Sequence, residues 1–207
     1  MDYAELLERA VAFHGHLCAG QVLGVRLAML GCKLLGIQEP RREKRLITFV
    51  EIDRCAADAI QTVTGCTLGK RTLKYLDYGK MAATFLDVTT GRAVRLAVRE
   101  DSRERAWRYA PDAKDKKDAQ TRAYAVMPDE ELFLAQDVHV TLRPEEMPGP
   151  PVFRAACDAC GESVNDMRHV ERGERVLCRA CAHGAYYAPV KDAPGVAGPV
   201  SAGESRR

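Results

Sequence analysis

Apolar residues recur at helical spacing from the start of the chain. Leu6, Leu7, Ala10 and Val11 mark one face of a helix over Tyr3 to Phe13, which breaks at His14-Gly15-His16. A second helix is predicted from just after Gly20 to about Leu35, because Val22, Leu23, Val25, Leu27, Leu30, Leu34 and Leu35 wrap most of its circumference. Such a helix is buried. Gly20, Gly24, Ala28 and Gly31 place small residues at near-helical spacing along it, which lets another backbone approach closely, and Gly36 is a natural stop. The pattern then changes period. Leu46 to Ile52 is a continuous apolar run of the kind that forms a strand covered on both faces. Asp53 can cap a following helix through Ala56, Ala57, Ala59 and Ile60 to Val63. Met81 to Val88 and Arg92 to Val98 alternate across Thr89-Thr90-Gly91 and predict a β-hairpin with Val94, Leu96 and Val98 on one face. Charged helical stretches near 101–109 and 112–125, a short helix after Pro128 and a final strand at Val138–Leu142 complete an α+β pattern.

The Pro/Gly-rich stretch EEMPGPP at 145–151 and a polar, small-residue end divide the chain. They imply a core domain over 1–144, a linker over 145–151, a small second domain over 152–190 and a disordered tail over 191–207. No run approaches the roughly 18 apolar residues that span a bilayer. The opening MDYAELLERA is acidic and amphipathic rather than a signal sequence, so the expectation is a cytoplasmic protein without a membrane partner.

Charge and cysteine usage narrow the chemistry. Across 207 residues, 31 Lys and Arg face 29 Asp and Glu, and a formal +2 gives no global field to attract nucleic acid. The eight cysteines are too sparse for a disulfide scaffold and point to metal and thiol chemistry in a reducing compartment.

Cys157-x2-Cys160 and Cys178-x2-Cys181, with 17 residues between the pairs, form the most specific signal. Two thiolate pairs can surround one cation tetrahedrally at about 2.3 Å, and zinc imposes no competing geometry. A segment of roughly 40 residues buries too little apolar area to fold alone, so the metal supplies the missing folding free energy. Four sulfurs close the shell, which makes the site structural. Two disulfides or an iron site would draw on the same thiolates, and His183 is a weaker candidate ligand. The Asn165–Arg175 region predicts a hairpin turning near Arg172-Gly173-Glu174, and the second pair should open a short helix carrying His183, Tyr186 and Tyr187.

In the core, Phe13-His14-Gly15-His16-Leu17-Cys18-Ala19-Gly20 sets two imidazoles and a thiol just before a helix. The helix dipole and free amides favour the thiolate form of Cys18, as a nucleophile or a soft-metal ligand. With Cys55 at the end of the central strand, His16, Cys18 and Cys55 make a mixed three-ligand set, and His14 is a fourth ligand or an outer partner. Three ligands leave a position open, as catalysis requires. The plainer alternatives are a capping histidine and inert packed thiols. Packing is the preferred reading for Cys32 among Leu30, Leu34 and Leu35, and Cys66 is undecided.

These residues carry a family resemblance. FHGHLCAG followed by Gly24-Val25-Arg26, then Asp53 to Gln61, Thr64-Gly65-Cys66-Thr67-Leu68-Gly69-Lys70 and Asp77-Tyr78-Gly79-Lys80-Met81-Ala82 resemble the FmdE-like family of formylmethanofuran dehydrogenase proteins over about residues 11–85. The doubled CxxC is similar to its longer, two-domain members. The resemblance implies a thioredoxin-like α+β core with a mixed sheet flanked by helices, a C-terminal treble-clef zinc finger and a homodimer. It also implies a core site, sometimes zinc-occupied, whose motif falls on His16, Cys18 and Cys55, and a molybdenum or tungsten redox enzyme as partner. Ala19 stands where the family motif usually has proline.

Together these readings predict a metal-binding accessory protein with structural zinc in the finger and zinc or another transition metal in the core. Asp53, Asp58 and Gln61 could orient ligands or bind substrate, while Lys70 and Lys80 could attract an anionic one. Two other classes stay open. One is an enzyme in its own right, with Cys18 or a metal-activated water as nucleophile and His14 or His16 as general base. The other is a zinc-finger module recruiting protein or nucleic acid.

Overall fold

Asp2 caps the first helix, α1 (Tyr3–His14), by accepting the Glu5 N–H at 2.8 Å, and Gly15, at φ 97°, ends it. The computed structural model describes residues 1–188 and Val190, so the predicted tail over 191–207 lies outside the described residues. After α1 come α2 (Ala19–Leu34), α3 (Pro40–Glu43), β1 (Leu46–Val50), α4 (Cys55–Thr64), β2 (Leu73–Tyr75), β3 (Ala82–Asp87) and β4 (Ala93–Val98). They are followed by α5 (Ser102–Tyr109), α6 (Lys116–Val126), α7 (Asp129–Leu132) and β5 (Phe133–Val138). The chain divides into two compact units, Met1–Thr141 and a second that begins at Leu142.

In the first unit a mixed five-stranded sheet has the order β2-β1-β3-β4-β5, with β1 and β2 parallel and the remaining pairs antiparallel. β3 is buried along its whole length, as a central strand requires. α2 packs on β3 and β4 and also meets α1, α4 and α6. Its glycines make that position possible: a Cβ on Gly24 would lie 2.5 Å from the Ala56 carbonyl oxygen, and one on Gly31 would lie 2.3 Å from the Phe85 ring. The small-residue stripe therefore serves two neighbours, α4 and the sheet.

The structure corrects the sequence pattern in four places. α4 begins at Cys55, its N-cap is Arg54 and no side chain caps it, so Asp53 has no capping role. The last strand is Phe133–Val138 rather than Val138–Leu142, because β5 pairs Phe133 with Val98 and Val138 with Ala93 and so ends where β4 begins. α3 and β2, of four and three residues, are too short to show a period and have no counterpart in the pattern. In the second unit, Gly184 at φ 99° stops the last helix at His183, which leaves Tyr186 and Tyr187 beyond it.

The second unit holds a 3-10 turn (Pro144–Glu146), two short hairpins and α8 (Arg179–His183). The hairpins are β6 (Arg154–Ala156) with β7 (Ser163–Asn165), and β8 (Val170–Arg172) with β9 (Arg175–Leu177), which turns at Gly173 as the sequence predicts. Among the described residues its buried apolar set is Cys157, Leu177 and Ala182, backed by Cys160, Val170 and Cys178. Among the described residues no helix is long and apolar enough to cross a membrane.

The α2–α4 contact yields a direct expectation. Gly24→Ala forces a methyl against the Ala56 backbone and should cost about 1–3 kcal/mol in urea unfolding. Gly69→Ala, with nothing within 4 Å of the new methyl, should change stability by no more than about 0.5 kcal/mol.

Candidate functional site

The turn at Gly15 brings two imidazoles together: the His14 and His16 ring centroids lie 4.7 Å apart at a 40° tilt. Cys18 precedes α2 in extended conformation (φ −150°, ψ 165°) and makes no side-chain bond to the helix amides. Its sulfur is left to join the histidines. One ring nitrogen each from His14 and His16 and the Cys18 Sγ all lie within 4.8 Å of one another.

α4 supplies the partner that orients this group. His14 Nδ1 lies 2.8 Å from Asp58 Oδ2. An ionised carboxylate only accepts, so Nδ1 is the donor, and in the neutral ring Nε2 is the nitrogen with the free lone pair. That Nε2 is buried and has no hydrogen-bond partner among the described residues. A buried acceptor left in this state is costly unless a cation or a donor completes it.

Cys55 opens α4 beside Cys18. Burial first, and then the hydrogen bond and charge of Cys18, push the Cys55 thiol up. A metal cation bound there would displace the Cys55 proton. Gly20 permits the meeting, since a Cβ there would lie 2.8 Å from Cys55 Cβ and 3.7 Å from Cys18 Sγ. Gln21, fully buried, fixes the turn by donating from Nε2 to the Cys55 carbonyl at 2.6 Å. The compact group is therefore His14, His16 and Cys18, with Cys55 reached through Cys18, whereas the sequence alone sets His14 at the margin.

Asp53, Asp58 and Gln61 line a cavity of about 500 Å³ together with His14, Cys55 and Tyr75. The Tyr75 hydroxyl is pushed up to about 12 by its hydrogen bond to Asp77, then by burial and by the Asp53 charge. Lys80 lies instead in a cavity of about 690 Å³ that shares Ile52 with the first, and Lys70 lines neither. Cys32 is fully buried and pushed up to about 12 by that burial. Cys66 is a core residue whose Sγ donates to the Leu46 carbonyl at 3.4 Å. Two pairings were not found from the sequence: Asp58 with His14, and the buried Glu51 with Arg95 at 2.7 and 2.8 Å. Only an arginine inside an apolar strand hints at the second.

In the second unit the sulfurs of Cys157, Cys160, Cys178 and Cys181 all lie within 4.8 Å of one another, with Cys160 and Cys178 at 4.0 Å. Tetrahedral zinc sets its sulfurs about 3.8 Å apart, so the cluster fits the ion. The backbone N–H of Cys178, 3.2 Å from Cys157 Sγ, and that of Cys160 hold the Cys157 thiol down at about 6. Hydrogen bonding to Cys178 pushes Cys181 up to about 12. One sulfur is ready as a thiolate, and the protons on its neighbours are those zinc displaces. His183 is not part of this group.

Residues 13–134 match the family described as FmdE, Molybdenum formylmethanofuran dehydrogenase operon, and residues 152–187 match the prokaryotic dksA/traR C4-type zinc finger. A protein of Archaeoglobus fulgidus described as a probable S-adenosyl-L-methionine-binding protein is 33% identical over 212 residues. The match covers 89% of this chain and 54% of that protein, so the chain spans about half the length of this curated relative. A solved structure, that of an FmdE-like protein of tungsten formylmethanofuran dehydrogenase from Syntrophus aciditrophicus, is similar with a TM-score of 0.60 over 91% of this chain and 96% of that one. At 24% identity the likeness is one of fold.

The poverty of the finger's apolar core makes zinc removal informative. Chelation should release one zinc from the four cysteines and abolish amide-exchange protection in β6 to β9, because metal binding there supplies on the order of 10 kcal/mol. Protection in β1, β3 and β4 should persist, since that sheet has its own core.

Proposed function

Because the chain belongs to the FmdE family, we propose that it is a metal-binding accessory protein with a structural zinc finger and an open His/Cys metal site in its core. The observation that carries this reading is His14 Nε2, buried and unpartnered beside His16 and Cys18 while Asp58 holds the opposite nitrogen. His14, His16 and Cys18 would hold the ion, and Cys55, which meets Cys18 at Gly20, would add a second sulfur by losing its proton. A bound transition metal supplies Lewis acidity at whatever position the protein leaves free. Asp58 keeps the tautomer of His14, and Gly20 keeps the two thiols adjacent.

Finer parts of the reading belong here too. The parallel β1–α4–β2 unit followed by antiparallel β3 and β4 supports a thioredoxin-like core. A CxxC on one hairpin and a CxxC opening α8 support a treble clef. A homodimer, a cytoplasmic location and a molybdenum or tungsten redox enzyme as partner follow from the family alone.

A second reading comes from the cavity of about 500 Å³ beside the site, where Asp53, Asp58 and Tyr75 could receive a cationic ligand. The Archaeoglobus relative's description suggests S-adenosyl-L-methionine, whose sulfonium has that character. Calorimetric titration with S-adenosyl-L-methionine should then show saturable binding that Asp53→Ala weakens about tenfold, and absence of heat change and of any spectral shift sinks it.

Metal content tests the principal reading. Purified wild type should carry one metal per chain more than Cys18→Ser, and Asp58→Asn should weaken core binding about 10- to 100-fold. Equal metal content in wild type and Cys18→Ser contradicts the proposal.

A further inference from the structure

The cavity of about 690 Å³ opens at the first turn of α2, where Ala19 and Gly20 line it. No side chain caps this 16-residue helix, so the positive end of its dipole and its first amides face outward. The charged part of the lining is four cations and one carboxylate, Glu100. Arg95 comes from β4, Arg103 from α5, Lys116 from α6, and Lys80 from the segment before β3.

These cations differ in how they are held. Arg95 grips the buried Glu51 through Nε and Nη2 at 2.7 and 2.8 Å, which fixes the guanidinium and leaves Nη1 without a partner among the described residues. Arg103 lies 3.4 Å from Glu100. Lys80 and Lys116 have no carboxylate partner among the described residues, and Lys80 rests only against the Tyr78 ring at 5.9 Å. The carboxylates therefore balance the two arginines and leave two lysines uncompensated around one cavity. A cavity of this size suits a small-molecule ligand, and rigid donors with unbalanced positive charge select an oxyanion.

We propose that this cavity is a subsite for an oxyanion group, a phosphate or a carboxylate, of a small ligand whose remainder passes Gly20 toward Cys18 and Cys55. Gly20 lines the cavity, and the position its Cβ would take lies 3.7 Å from Cys18 Sγ. Neither cysteine lines the cavity, so the ligand's remainder would reach the thiols past Gly20, and the anion itself would not occupy the histidine side of the group. The subsite goes beyond the metal reading and does not depend on a metal being present.

NMR titration of the full chain with inorganic phosphate, and separately with acetate, at a constant ionic strength of about 0.15 M tests it. Saturable shifts are expected at the Ala19 and Gly20 amides and at the Arg95 guanidinium, and the tighter of the two anions identifies the group the subsite takes. Lys80→Ala/Lys116→Ala, at exposed positions, should weaken binding about tenfold, while Lys70→Ala leaves it unchanged. No saturable shift at those amides, or equal affinity in the double variant, overturns the proposal. The double variant should also keep its full metal content. A parallel loss of metal and of anion binding would place the anion on the metal, which overturns the subsite and leaves the metal reading intact.

Discussion

A Cβ on Gly24 would lie 2.5 Å from the Ala56 carbonyl oxygen, and this closeness of α2 to α4 is what the core site is built on. Helices can meet so tightly only where one of them lacks side chains at the contact. The approach brings the start of α2 against the start of α4, so Cys18 and Cys55, distant in sequence, meet at Gly20. One turn along α4, Asp58 then falls within 2.8 Å of His14 at the end of α1. Three helix ends converge, and each delivers one part of the ligand group.

The two cysteine-containing sites solve different problems. In the finger, four sulfurs surround one position and the apolar core is three residues strong, so the ion substitutes for a core. The first unit has an extensive apolar core of its own, with Phe85, Leu27, Ile47 and Leu96 fully buried. There the ligand group can carry an unpaired histidine nitrogen, a local cost that the rest of the unit bears.

Much of this was legible in the sequence because it is local. The CxxC spacing, the period of α2, the apolar run of β1 and the turn at Gly173 all act within a few residues of themselves. The small-residue stripe also announced a close approach, though not that Gly24 meets α4 while Gly31 meets Phe85. What stayed hidden is tertiary. Asp58 lies 44 positions from His14, and Arg95 an equal distance from Glu51, so neither pairing has a spacing to read. The extent of β5 was set by its register with β4 rather than by its own alternation, for Leu134 to Asp137 are all exposed. Asp53 looked like a cap because it precedes a helix, but the helix begins one turn position later, at Cys55.

On the proposed reading, His14, His16 and Cys18 hold a metal ion distinct from the one in the finger. A crystal structure of the zinc-loaded protein, with anomalous scattering recorded on both sides of the zinc edge, tests it most directly. Two anomalous peaks per chain are expected, one within the four finger sulfurs and one in contact with His14 Nε2 and Cys18 Sγ. A single peak, in the finger, with His14 Nε2 hydrogen-bonded to water or to another side chain, would contradict it.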